Sequence, residues 1–263
     1  MEDLILVHGA PGDGALWQPV LSRMPHVTVV APTLAGFGPD PSPEAVGRFG
    51  TAFHADELVD LARQRAKPVA IAAWSYACHP VLEALLKQPH LFTSCFLYEP
   101  GFSTYLEGED LEAFNADAGQ AFGPIFRALH EEGPEEAMRA LFLSSGGFGA
   151  FESLAPDRQA RYLAGAGAMP LLLGGAPPTT IRMKDLATIR VPTTVAFGEQ
   201  SRPLFQIASR SVAKSIPDAV LVTVRGGDHM LPERDPDRFA ALLLEWLGRG
   251  GAAATCTPAS QAT

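Results

Sequence analysis

In the first hundred residues short runs of β-formers alternate with segments long enough for a helix, and this alternation restricts the chain more than any other feature. Leu4 to Val7, Val27 to Ala31, Val69 to Trp74 and Thr93 to Tyr98 read as strands. About Ala15 to Met24, about Phe53 to Arg65 and about Tyr76 to Lys87 read as the helices between them. Crossovers of helical length join parallel neighbours, and a parallel sheet needs both faces covered. The rhythm resumes with Thr193 to Phe197, a helix near Phe205 to Ser215, and Val220 to Val224. A closing helix carries Phe239, Leu242, Leu243, Trp246 and Leu247 along one face. The expected class is α/β: a mostly parallel sheet with helices on both faces.

Residues 102–190 break the rhythm, so residues 1–101 and 191–248 are expected to form the core and 102–190 a helical lid or cap. Phe114, Ala118, Ala121, Phe122, Ile125 and Leu129 form a stripe at helical spacing, and a second helix is expected from Pro134 to about Leu143. Met169-Pro170-Leu171-Leu172-Leu173 and the breaker Pro177-Pro178 follow. Such stripes serve first as the core of a helical subdomain. As a set they can also line an apolar pocket where the cap meets the sheet. The Gly-, Ala-, Ser- and Thr-rich residues 249–263 are expected to be a disordered tail.

Composition excludes several functions. With 47% hydrophobic and 19% charged residues the body can offset its chain entropy, and no apolar run approaches the ~18 to 20 residues of a membrane span. A net charge of −9 opposes binding to phosphate backbones and anionic lipid. The acidic start Met1-Glu2-Asp3 does not resemble a secretory leader, and Cys78, Cys95 and Cys256 lack metal-ligand spacing. Reduced thiols and a cytoplasmic location are the expectation.

The most informative segment is Ile71-Ala72-Ala73-Trp74-Ser75-Tyr76-Ala77-Cys78-His79, in which an apolar strand runs directly into a helix with Ser75 at the junction. A serine on so sharp a turn takes strained backbone angles, and its neighbours two residues away must be small. Alanines stand here where the usual G-x-S-x-G has glycines. A serine that merely caps a helix would give the same local pattern, so the context decides. His8-Gly9-Ala10-Pro11-Gly12 follows the first strand and Gly226-Gly227-Asp228-His229 the last. Loops after the carboxyl ends of parallel strands share one edge of the sheet, so both can converge on Ser75. His8 itself reads as a structural loop residue. His79, one helical turn beyond Ser75, points along the helix rather than over the hydroxyl.

In these three segments, taken in order, the chain resembles the α/β-hydrolase superfamily over about Asp3 to Leu247. That resemblance implies a sheet of about six strands, beginning at what would be the third strand of longer members, and places residues 102–190 where those proteins carry a lid. It implies Ser75 as nucleophile, His229 as general base, and the backbone N–H groups of Ala10 and Tyr76 as the oxyanion hole. Many relatives carry an aspartate three residues beyond the glycine of the penultimate strand. In Phe197-Gly198-Glu199-Gln200-Ser201-Arg202 that position is Ser201. Glu99, 24 positions after Ser75, ends the neighbouring strand and can emerge at the same edge. This acid position is similar to that of zearalenone-type lactonases and the dehalogenase branch. Glu99 is therefore the expected acid, with Glu199 as the alternative and a simple capping role for Glu99 as the rival.

The implied function is a cofactor-independent serine hydrolase acting on a carboxylic ester or lactone. Phe102, Tyr105, Phe122, Phe126, Leu172 and Met183 suggest an apolar, aromatic or macrocyclic small-molecule substrate. Arg182, Lys184 and Arg202 are the cations that could act singly on a charged group. The same triad also serves carbon–carbon bond hydrolysis, hydroxynitrile cleavage, or a ligand receptor built on a hydrolase fold. No cofactor or metal is expected: Gly9, Gly12 and Gly14 do not match G-x-G-x-x-G, and neither His8 nor His229 has a ligand partner at helical or strand spacing.

Overall fold

The computed structural model describes residues 3–175 and 180–249. Pro177-Pro178, Cys256 and all of the expected tail but Arg249 lie outside the described residues. The chain opens with β1 (Asp3–Val7), a 3₁₀ turn (Gly14–Trp17) capped by the Asp13 carboxylate, and α1 (Gln18–Leu21). The single helix expected over 15–24 is thus split, with Pro19 in the first turn of the α-helical half. Then come β2 (Thr28–Val30), α2 (Pro43–Gly47), α3 (Thr51–Arg63), β3 (Val69–Trp74), a 3₁₀ turn (Ser75–Ala77), α4 (Cys78–Lys87) and β4 (Phe92–Tyr98). After a helical stretch, β5 (Thr193–Gly198) follows.

The six strands, closing with β6 (Val220–Val224), form one sheet in the order β2-β1-β3-β4-β5-β6, and every pair is parallel. Strand order reverses at β1, so β1 and β3 part their following loops at a switch point, the crevice where ligands bind in such sheets. Residue alternation assigns the two faces. Ile5, Val7, Ile71, Ala73, Leu97 and Val195 pack on one side with residues of α3 and α4. Leu4, Leu6, Ala70, Ala72, Phe96 and Ala196 pack on the other with Trp17 and Val20. Every residue of β3 is buried, as expected of a strand covered on both faces.

The stretch between β4 and β5 is helical: α5 (Gly108–Glu131), α6 (Pro134–Gly146), α7 (Pro156–Ala164), a π-helical turn (Leu171–Gly175) and α8 (Met183–Leu186). Ile125, Ala128, Ala137 and Met169 form a small core of its own. It is nevertheless joined to both sides of the sheet. Phe114, Ala121 and Leu186 belong to the first core cluster, and Phe142, Phe151 and Tyr162 to the second. The chain closes with α9 (Pro203–Ser215) before β6, then α10 (Leu231–Arg234) and α11 (Pro236–Gly248), whose Phe239, Leu243, Trp246 and Leu247 are buried in the second cluster. Among the described residues no helix is long and apolar enough to cross a membrane.

Candidate active site

β3 ends at Trp74 and the next residue, Ser75, has φ 58, a left-handed conformation that a side chain normally avoids. Ala73 and Ala77 on either side are buried, and the chain turns directly into α4. The loop after β1 approaches this turn because residue 9 is glycine. A Cβ there would lie 2.9 Å from the Trp74 indole and 3.3 Å from Ser75 Cβ.

His229, on the loop after β6, reaches Ser75 from the far side of β5. Its Nε2 is 3.0 Å from Ser75 Oγ and its Nδ1 2.7 Å from Glu99 Oε2. The ring stacks on Phe205 with centroids 3.7 Å apart. The Trp74 indole N–H donates to the His229 carbonyl at 2.9 Å, and the Tyr98 hydroxyl donates to the Asp228 carbonyl at 2.7 Å. These contacts fix the imidazole in one plane with one edge toward each partner.

Glu99 is fully buried at φ 56, and burying a carboxyl group is costly unless hydrogen-bond partners surround it. Oε2 faces His229 Nδ1; Oε1 accepts the Gly198 N–H at 2.6 Å and the Ser201 hydroxyl. The serine at the position of the more usual acid therefore donates to the carboxylate that faces the histidine. Glu199 is exposed, and its Oε2 accepts the Gly226 N–H at 2.8 Å, at the turn before the histidine loop.

Tyr76 is held by its side chain. Its hydroxyl lies 2.9 Å from His54 Nδ1, and His54 Nε2 is 2.8 Å from the Ala35 carbonyl. A carbonyl only accepts, so His54 carries its proton on Nε2 and receives one hydrogen bond from Tyr76. Burial lowers His54 to a pKa of about 4 and lifts the Tyr76 phenol above its ordinary value. His8 Nε2 accepts the Leu34 N–H at 3.1 Å, its Nδ1 faces the Gly9 carbonyl, and burial lowers its pKa also to about 4. His8 is thus a neutral brace of the loop bearing Ala10. Both ring nitrogens of His79 are buried away from any partner among the described residues, and the ring packs on Phe102 and Tyr105 instead of facing Ser75.

Ser75, His229, Ala10 and Tyr76 open onto a cavity of about 300 Å³. Of the residues expected to contact substrate, Phe102, Phe122 and Leu172 line it; Tyr105, Phe126 and Met183 do not. Tyr105 is buried in the core behind Phe102, its ring stacked on His79. Phe126 is half-exposed on α5, and Met183 lies at the exposed start of α8. For α5 the cause is helical drift: a step of four residues overshoots a turn by about 40°. Phe114, Ala118 and Phe122 line the cavity, and one further step carries Phe126 off it. Leu141, Leu173 and Phe205 also line it, unanticipated because they come from three separate elements. Among the described residues that line it there is no Asp, Glu, Lys or Arg. Arg202 is engaged by Asp117 at 2.7 Å, an Arg182 guanidinium N–H donates to the Thr104 carbonyl at 3.3 Å, and Lys184 is exposed. The Cys78 and Cys95 thiols are buried and pushed well above their ordinary range. Among the described residues no group of three His, Cys, Asp or Glu side chains could hold a metal.

A parallel six-stranded sheet with serine, carboxylate and histidine brought together at its carboxyl edge is the architecture of a hydrolase of the α/β type. The chain belongs to the alpha/beta hydrolase family, whose profile matches residues 4–242. A 2-(acetamidomethylene)succinate hydrolase from Mesorhizobium japonicum is 24% identical over 245 residues, spanning 89% of this chain and 84% of that protein. Among solved structures, a thermophilic esterase from Thermogutta terrifontis superposes with a TM-score of 0.72 at 20% identity, covering 96% of this chain and 91% of the other. An enol-lactonase from Burkholderia xenovorans gives a TM-score of 0.72 at 13% identity, covering 94% and 91%. At these identities the structural likeness establishes the fold.

Proposed function

We propose that the chain is a serine hydrolase that cleaves an uncharged carboxylic ester or lactone through an acyl-enzyme. The observation that carries this reading is the continuous chain from Ser75 Oγ to His229 Nε2 at 3.0 Å and from Nδ1 to Glu99 at 2.7 Å, opening on an apolar cavity. Ser75 Oγ attacks the acyl carbon while His229 Nε2 takes its proton. The oxygen that gains charge faces the backbone N–H groups of Ala10 and Tyr76. The proton then passes from His229 to the departing alkoxide, leaving Ser75 acylated. Water repeats the sequence, giving its proton to His229 and freeing the acid. Glu99 holds the neutral ring with its proton on Nδ1 and stabilises the imidazolium that forms twice per cycle.

The lining supports an uncharged substrate. The relative from Mesorhizobium acts, by its name, on a succinate, and two carboxylates buried in a cavity need cations that the described lining residues do not offer. A neutral aryl or alkyl ester, or a lactone, fits the ring of Phe102, Phe114, Phe122 and Leu172. The test is a fluorophosphonate label mapped to its peptide, run beside hydrolysis of matched neutral and carboxylated p-nitrophenyl esters. Labelling at Ser75 with turnover of the neutral ester supports the reading. A preference for the carboxylated ester overturns the substrate class, and label on any other residue overturns the nucleophile.

A further inference from the structure

We propose that α7 is a positioning strap: Arg158, together with Arg161 and Tyr162 on the same helical face, ties the loop bearing Ala10 to the segment bearing His229 and so sets their placement about the Ser75 hydroxyl. The proposal rests on the serine-hydrolase reading above. Residues 158, 161 and 162 stand at i, i+3 and i+4, the spacing that aligns side chains on one side of a helix. Arg161 Nε donates to both carboxylate oxygens of Asp13 at 2.9 and 2.8 Å. Asp13 has a side chain 3% exposed, caps the 3₁₀ turn through the Ala15 N–H, and follows Ala10 by three residues.

Arg158 Nη2 donates to the Leu16 carbonyl at 3.0 Å, on that same 3₁₀ turn, and its Nε to Glu233 Oε2 at 2.9 Å. The Tyr162 hydroxyl donates to Glu233 Oε1 at 2.6 Å. Glu233, with a side chain 3% exposed, sits on α10, which begins two residues after His229. One guanidinium thus bridges the turn that follows the Ala10 loop and the helix that follows His229, over two hundred residues apart in the chain. A guanidinium fork holds a carboxylate in a fixed geometry, which an apolar contact of equal area does not. An oxyanion donor and a general base depend steeply on placement, so a strap of this kind acts on rate more than on substrate binding.

The test measures steady-state kinetics and the affinity of a phenylboronic acid, which becomes tetrahedral on an active serine, in Arg158→Met, Arg161→Lys and Tyr162→Phe. Arg158→Met is expected to lower kcat by about 10- to 100-fold while KM changes by less than about 3-fold, with boronate affinity falling in step with kcat/KM. Tyr162→Phe removes one hydrogen bond without leaving a bare charge, and is expected to lower kcat by about 3- to 10-fold in the same pattern. If Arg158→Met does not fold, Arg161→Lys and Tyr162→Phe decide. Variants that melt earlier yet keep kcat and boronate affinity within twofold of the parent overturn the strap. Failure of the unaltered protein to take a fluorophosphonate at Ser75 overturns the parent reading instead, so the two failures are separable.

Discussion

Three non-glycine residues have positive φ among the described residues: Ser75, Glu99 and Asp218. Two of them directly follow the adjacent strands β3 and β4 and send their side chains to the same histidine. A left-handed conformation costs of order 1 to 3 kcal/mol at each, so the fold accepts strain at two of the three groups that make up the chain of hydrogen bonds. In the proposed reading Glu99 takes the place of an acid after β5, and the Ser201 hydroxyl donates to its carboxylate. Ser75→Ala should lower kcat on a short p-nitrophenyl ester by at least about 10³-fold with the melting temperature nearly unchanged. Glu99→Gln should cost on the order of 10³- to 10⁴-fold, because an amide cannot stabilise the imidazolium, whereas Glu199→Gln should stay within about 3-fold of the parent. An inactive Glu199→Gln beside an active Glu99→Gln would move the acid to β5.

Elements differ in how plainly they are written in the chain. β1, β3, β4, β5 and β6 were readable because each is a short apolar run between breakers, and α5 because its stripe repeats with the helical period. β2 is shorter than its apolar run, since an edge strand pairs on one side alone. The short helices α2, α8 and α10 span about one turn each, too few residues for a period to show. Of the candidate site, the family resemblance points to Ser75 and His229, and to Glu99 with Glu199 as its alternative, because all four follow strands at one edge of the sheet. Ser201 was legible only as the lack of an acid, and the donors of α7 not at all, because their acceptors lie on distant segments. The β5–β6 edge carries its own test. A Cβ at Gly198 would lie 2.3 Å from the Gly227 carbonyl oxygen, and that backbone has to shift to admit it. Gly198→Ala should therefore destabilise by more than about 2 kcal/mol and displace the loop that ends in His229. Urea melts give the first quantity. A kcat reduced under conditions where the variant is still fully folded gives the second, and an unchanged kcat there would show that the loop absorbs the methyl.

At the scale of the whole molecule, three buried histidines outside the proposed triad set how the fold meets acid. His8 and His54 keep a pKa of about 4 and His79 is lowered well below its ordinary value, each chiefly by burial. In the unfolded chain an imidazole takes up its proton near ~6.5. The folded state therefore binds fewer protons between these values, and folding stability is complete above about pH 6.5 and falls as the pH is lowered toward 4. For His8 and His54 the loss levels off once the folded state is protonated too. It reaches about 3 kcal/mol for each of the two. Glu57 and Asp228 act in the opposite sense, since burial raises both and the folded chain accepts their protons first. His54 isolates the effect, because Gln keeps a donor for the Ala35 carbonyl and an acceptor for the Tyr76 hydroxyl while removing the titration. Urea unfolding of the parent and of His54→Gln at pH 7 and pH 4.5 should show the variant losing less stability over that interval by about 2 kcal/mol. Equal losses in the two proteins would mean that the imidazole is protonated in the folded state well above pH 4, with its Nδ1–H donating to the Tyr76 hydroxyl oxygen in place of accepting from it.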